Sequence, residues 1–149
     1  MSKVRTTSTT PELIVRQKLH AAGFRFTLHS KKLPGKPDII LPKYKAVIFV
    51  HGCFWHHHLH CGKSKLPQSN VDFWRSKIHK NVERDLAKTV QLKSLGWRVL
   101  VIWECETKNE KFVPKMKSFL AMGCLAGTMS HQLDNDMRKK GRSNAEKYR

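Results

Sequence analysis

The sequence predicts an α/β fold, a mixed sheet flanked by helices, in the order helix, three strands, helix, strand and closing helix. Three observations lead there. Apolar residues recur at helical spacing before and after a block of strand signals. Ala46-Val47-Ile48-Phe49-Val50 is a continuous apolar run of strand length with the composition of a central strand buried on both faces, and Trp97-Arg98-Val99-Leu100-Val101-Ile102-Trp103 is another apolar strand. A long helical pattern separates those two runs. At 149 residues and 40% apolar composition there is material for one core.

The first helix begins at Thr10 as N-cap with Pro11 in the first turn, and Gly23 stops it. Glu12, Val15, Leu19 and Ala22 share its inward stripe. An acid on that stripe is either a first-turn Glu complementing the helix dipole or a residue with work to do inside. Phe24 to His29 alternates apolar and polar and reads as a half-buried strand. The turn-rich Leu33-Pro34-Gly35-Lys36-Pro37 leads to a second strand, Asp38-Ile39-Ile40-Leu41. Pro42 to Lys45 turns the chain into the Ala46 strand. After Asn70 as N-cap, helical pattern runs to Gly96 with a break expected near Asn81. Trp74 and Ile78 share one face of it, and Val82, Leu86 and Val90 another. The Trp97 strand follows, then an amphipathic stretch with Phe112, Met116, Phe119 and Leu120 that ends at Gly123. From Asp134 basic residues accumulate and large apolar ones nearly vanish. We therefore expect a folded domain over residues 1–133 and a disordered basic tail over 134–149.

Twenty-nine Lys and Arg against 11 Asp and Glu give a net charge of +18, which selects polyanionic partners, nucleic acid first among them. A basic structural protein would carry the same charge, so the charge alone names no activity. Met1 to Thr7 contains no apolar segment of the secretory kind, and no apolar run reaches membrane-span length. The expectation is a cytoplasmic protein without a membrane partner, located where the DNA is. In that reducing compartment four cysteines read as thiols or metal ligands. Cys124 sits in an apolar helical end and reads as an inert buried thiol.

The densest chemistry lies in His51-Gly52-Cys53-Phe54-Trp55-His56-His57-His58-Leu59-His60-Cys61. Five histidines and two cysteines in eleven residues do not pack a core, whereas thiolates and imidazoles are the ligands of a closed tetrahedral Zn²⁺ site. Cys53, one histidine and Cys61 supply three ligands, and Cys105, at the end of the Trp97 strand, can supply the fourth. His58, two residues removed from Cys61, chelates comfortably, and His60, adjacent to it, is the strained alternative. Pro37-Asp38 places an acid at the mouth of a strand, where a metal-dependent nuclease holds its Mg²⁺-binding carboxylate; ordinary turns use the same pair. Phe54 and Trp55 lie in a polar, His-rich loop where a core pair would find little to pack on, whereas Trp74, with Ile78 beside it, suits a core equally well.

Taken in order and spacing, Leu33 to Asp38, Val47 to His56, Phe73-Trp74, Asn81-Val82-Glu83-Arg84-Asp85 and Gly96 to Cys105 resemble the very-short-patch DNA mismatch repair endonucleases over roughly Met1 to Leu120. The resemblance implies a restriction-endonuclease-like core stapled by a structural zinc. The implied activity is Mg²⁺-dependent nicking of duplex DNA beside the thymine of a T:G mismatch, the product of 5-methylcytosine deamination. It makes Asp38 the metal-binding carboxylate and the Val50 main-chain carbonyl the second protein ligand; the Glu-x-Lys of related nucleases is absent here. His51 and Glu12 would hold metal-bound waters, and His56 would act as general base oriented by Asp85. Zinc falls to Cys53, His58, Cys61 and Cys105, although Leu59-His60 makes this chain one residue longer than some members before the second cysteine. Phe54 and Trp55 correspond to an aromatic wedge inserted beside the mismatch, with Trp74 in the same platform and Met1 approaching from the other groove. A monomer acting on mismatched duplex is implied, with other mismatch-repair proteins as further partners. The competing expectation is a restriction-like or site-specific nuclease that uses the same scaffold on unmodified duplex.

Overall fold

The computed structural model describes residues 8–123, so the expectations for Met1, Cys124 and the tail from Asp134 lie outside the described residues. Helix α1 (Thr10–Ala21) is followed by β1 (Thr27–Leu28), β2 (Ile39–Leu41) and β3 (Ala46–His51). Helix α2 (Val71–Ser94) then crosses to β4 (Arg98–Trp103), and α3 (Glu104–Lys108) and the helical residues 112–123, α4, follow. The sheet order is β1-β2-β3-β4. The first three strands are antiparallel neighbours, and β4 runs parallel to β3 from Ala46↔Arg98 to His51↔Trp103. A parallel pair needs a long crossover, and α2 supplies it.

The period-2 alternation of the strands sorts the core into two layers. Ile39 and Leu41 of β2, Ala46 and Ile48 of β3, and Leu100 and Ile102 of β4 bury on one face with Val15 and Leu19 of α1 and Phe112, Met116 and Leu120 of α4. Ile40 and Val47 bury on the other face against Leu92 of α2, with Phe49, Trp97 and Val99 packed around them. Both β3 and β4 are therefore covered on both faces, which is why their sequences are continuously apolar.

Several boundaries differ from expectation, each for a local reason. The residue flanking α1 is Thr9 rather than Thr10, and neither hydroxyl caps the helix amides. Instead Glu12 turns back, accepting from the Ser8 N–H at 3.0 Å and the Thr9 hydroxyl at 3.4 Å. Ala22 is exposed, because the helix has already ended. Only Thr27 and Leu28 of the Phe24–His29 stretch pair with β2, since β2 itself is three residues long and bounded by Pro37 and Pro42. Phe24 and Phe26 still pack inward on the core. Helix α2 is unbroken at Asn81. Its 24 residues span about 36 Å, well beyond the length of a six-residue strand, so it overhangs the sheet; Ile78 and Leu92 are buried while Leu86 and Val90 face solvent. Gly35, in the left-handed region at φ +75°, lets the loop before Asp38 press on α2: a Cβ there would meet Lys88 Cβ at 2.9 Å.

Candidate active site and metal clusters

Asp38, His51, His56 and Asp85 gather at the carboxyl end of β3, where it and the parallel β4 empty toward α2 and the loop after His51. Asp38 stands one residue before β2, and its Oδ2 accepts the Val50 N–H at 2.7 Å, which locks the mouth of β2 to the end of β3. Burial pushes the Asp38 carboxyl up from 3.8 to about 6; the Val50 N–H works against the shift and the nearby charge of Glu12 adds to it. Among the described residues this desolvated carboxylate forms no ion pair, and only the imidazoles of His29 and His56 stand near enough to favour its charge. Its hard oxygens suit a cation such as Mg²⁺.

The register carries the next residues. Side chains alternate along β3, so the end of the strand sends Val50 to the α1 face and His51 toward α2. His51 is buried, stacked on His56 at 3.9 Å and 7° between ring planes, with Trp103 edge-on at 5.4 Å. Burial, reinforced by His56, drops the His51 imidazole to about 4, so it is neutral at physiological pH and can accept a hydrogen bond. His56 Nδ1 lies 2.5 Å from Asp85 Oδ2, which projects from α2. An ionised carboxylate on Nδ1 fixes the proton there and leaves Nε2 as a proton acceptor. One ligand atom each from His51, His56 and Asp85 lies within 4.8 Å of the others. Glu12, 3% exposed, is bound to Arg16 at 2.9 Å and stands near enough to Asp38 for its charge to be felt there.

A second cluster lies behind the first. Donor atoms of Cys53, His58, Cys61 and Cys105 fall within 4.8 Å of one another. Cys105 enters from α3, not from the strand end where the sequence suggested it, because the chain turns helical at Glu104, braced by Glu106 accepting the Trp103 N–H at 2.8 Å. His58 Nδ1 is 3.6 Å from Cys53 Sγ and 3.3 Å from Cys105 Sγ, and its ring stacks on Trp103 at 4.3 Å. His60 is exposed and outside the cluster. Burial raises the Cys53 thiol to about 12, whereas the Lys63 N–H lowers that of the half-buried Cys61. The buried thiol would not ionise by itself. Ser64 donates to the carbonyls of both His58 (2.7 Å) and Cys61 (2.8 Å), closing the loop around the donors.

The aromatic residues form a third group. Phe54, Trp55 and Trp74 meet edge to face, with centroids 5.2, 5.5 and 5.9 Å apart, and Phe73 extends the set at 5.3 Å from Trp74. Trp55 and Phe73 are exposed, and the Lys77 ammonium lies within 5.8 Å of three of the rings. The side chain of Asn81 donates to the Trp55 carbonyl at 3.1 Å and so ties this loop to α2. Trp74 is half-buried in this aromatic cluster and not packed in either core layer.

Sequence reasoning placed Phe73 and Asn81 in motifs without a role of their own and gave no part in the site to Ser64, Lys77, Arg16 or His29. Arg16 carried a signal, four residues beyond Glu12 on a helix. For His29 and Ser64 there was none, because their partners are distant in sequence or are main-chain atoms.

The family model described as DNA mismatch endonuclease Vsr matches residues 1–63. The chain is 49% identical over 110 residues to the type II nicking enzyme V.NmeAIP of Neisseria meningitidis, covering 74% of this chain and 78% of that protein. It is 51% identical to the type II nicking enzyme V.XorIIP of Xanthomonas oryzae, covering 73% and 79%. To the DNA mismatch endonuclease Vsr of Escherichia coli it is 43% identical, covering 74% and 70%. Among solved structures the catalytic domain of the homing endonuclease I-Bth0305I superposes with a TM-score of 0.55 at 26% identity, over 78% of this chain and 98% of that one. A four-stranded mixed sheet with this neighbour fits a restriction-endonuclease-like fold.

Proposed function

From the premise that the chain belongs to the Vsr family of DNA mismatch endonucleases, we propose that it nicks one strand of duplex DNA beside the thymine of a T:G mismatch, using Mg²⁺ at Asp38 and His56 as general base. The observation that carries the reading is the His56–Asp85 pair at 2.5 Å on the same strand ends as the desolvated Asp38 carboxyl. Asp38, with the Val50 main-chain carbonyl as second ligand, would hold the cation, and Glu12 and His51 would accept hydrogen bonds from its waters. A Mg²⁺ ion held by these residues would supply Lewis-acid polarisation of the scissile phosphate and of the attacking water. Nε2 of His56 takes the proton of that water, and Asp85 stabilises the imidazolium as it forms. Burial keeps His51 neutral beside His56, so no second positive charge opposes that transfer.

The four-donor cluster fits Zn²⁺. Tetrahedral ligands at usual Zn–S and Zn–N lengths lie roughly 3.5 Å apart, against 3.6 and 3.3 Å for His58 to its two sulfurs. Zinc would hold Cys53 as thiolate despite its burial, and would fasten the His-rich loop to α3. The loop then presents His56 to the cation side and Phe54 and Trp55, with Trp74, to the DNA. Exposed aromatic edges under a lysine suit insertion into a base stack. Among the described residues no helix is long and apolar enough to cross a membrane, and the reading is of a monomer acting at the nucleoid in the cytoplasm, with other mismatch-repair proteins as further partners.

The likeness to a homing endonuclease catalytic domain favours a second reading, cleavage of a fully paired site. A panel of duplexes carrying every mismatch in varied contexts, assayed with Mg²⁺, separates the two. Nicking confined to T:G duplexes supports the first reading, and equal cutting of paired duplexes supports the second.

A further inference from the structure

Behind Asp38 lies a group of charged and titratable side chains of which the reaction as described uses only Glu12. Glu12 is almost fully buried, and such a carboxylate is tolerated only when its lone pairs are satisfied. Its Oε2 accepts from Arg16 Nη2 at 2.9 Å. The same Nη2 reaches His29 Nε2 at 3.0 Å, which itself stands 3.8 Å from Glu12 Oε2. A guanidinium only donates, so in this contact His29 Nε2 stands on the acceptor side. His29 holds this position from a left-handed backbone conformation at φ +48°.

The Arg16 contact is not the one that would bind a carboxylate best. A guanidinium maximises a carboxylate pair by a two-pronged fork. Here one prong bridges Glu12 and His29, Nη1 reaches the Ser8 hydroxyl at 3.4 Å, and Nε is buried without a partner. Leaving a donor unpaired is a cost, so the arrangement favours a fixed orientation of Glu12 over the strongest pair. The side chain it orients stands beside the carboxylate proposed to bind the cation.

We propose that Arg16, docked on His29, is a positioning residue for the divalent-cation site, holding the Glu12 carboxylate in one orientation beside Asp38. The proposal rests on the reading of Asp38 as a cation ligand. Groups that orient a metal's surroundings typically change metal affinity or activity by roughly 10–100-fold when removed. Charge alone predicts the opposite sign, because deleting a cation should draw Mn²⁺ or Mg²⁺ in more tightly.

The test uses the full zinc-loaded chain, with Mn²⁺ binding followed by electron paramagnetic resonance without DNA. The Mg²⁺ dependence of single-turnover nicking is measured beside it. Arg16→Met should weaken Mn²⁺ binding and raise the half-saturating Mg²⁺ by roughly 10–100-fold, while DNA affinity without metal stays at the wild-type value. Arg16→Lys keeps the charge without the bridge and should recover only part of the loss. Glu12→Gln should match Arg16→Met, and the double variant should lose no more than either. Unchanged or tighter Mn²⁺ binding by Arg16→Met overturns the proposal, as does a double variant whose loss is the product of the two single losses. Should Arg16→Met fail to fold, a folded Arg16→Lys with wild-type cation affinity overturns it equally. A wild-type chain that binds no more Mn²⁺ than Asp38→Ala removes the underlying reading of the site, and the proposal with it.

Discussion

Asp38→Asn should make the protein both inactive and more stable. The amide oxygen can still accept the Val50 N–H, so the variant keeps the local structure and loses only the charge. Burial lifts the Asp38 carboxyl from 3.8 to about 6. A folded-state pKa above the unfolded one means that the folded protein binds the proton more tightly. The contribution of Asp38 to stability is therefore greatest below pH 3.8 and is lost as pH rises through 6. At 1.36 kcal/mol per pH unit the gap corresponds to at most about 3 kcal/mol, less where solvent screens the half-buried carboxyl. Urea unfolding at pH 4, 6 and 8, without Mg²⁺ and without chelators that would strip zinc, should show the variant more stable by about 1–3 kcal/mol at pH 8. The advantage should shrink through pH 6 and vanish near pH 4. Mg²⁺ at a hundred times its dissociation constant should add about 2.7 kcal/mol to the wild type and nothing to the variant. A variant less stable at pH 8, or a difference that ignores pH, would refute the reasoning.

Three further outcomes follow from the site. His56→Ala should slow single-turnover nicking by roughly 10²–10⁴-fold at unchanged DNA affinity, and Asp85→Asn should share much of that loss by unsettling the His56 tautomer; normal rates would remove the pair from the chemistry. Metal analysis should find one zinc per chain, and Cys105→Ser should lower the melting temperature and solubility because a structural zinc contributes folding free energy directly; zinc-free protein with an unchanged melting temperature would contradict this. Phe54→Ala and Trp55→Ala should fold and retain zinc yet lose discrimination worth about 1–3 kcal/mol between T:G and T:A duplexes, with a fluorescent base analogue beside the mismatch reporting less unstacking; if both unfold, the aromatics are structural.

What could be read from the sequence was set by how narrowly each residue type is constrained. Cys53, His58, Cys61 and Cys105 stood out because thiols and imidazoles rarely crowd one loop without reason, and the fold does bring all four together. Strands β3 and β4 were legible because burial on both faces leaves only apolar residues. Strand β1 was overextended, since alternation from Phe24 to His29 records which side chains face inward but not whether a partner strand is long enough to pair. The face shared by Leu86 and Val90 was legible but its exposure was not: apolar spacing cannot say where an overhanging helix leaves its sheet. Glu12 drew notice as an acid on an inward stripe, but its partner His29 could not be foreseen, because that contact depends on how β1 turns back over α1.

The central claim is that the Asp38 and His56–Asp85 centre is directed to the thymine strand of a T:G pair. Its most direct test is a single-turnover assay on a duplex with the two strands differently labelled, run with and without Mg²⁺ beside a matched T:A control. The account predicts one cut, in the thymine strand alone, only with Mg²⁺, and little or none in the control. Cutting of both strands, or equal cutting of the T:A duplex, would contradict it.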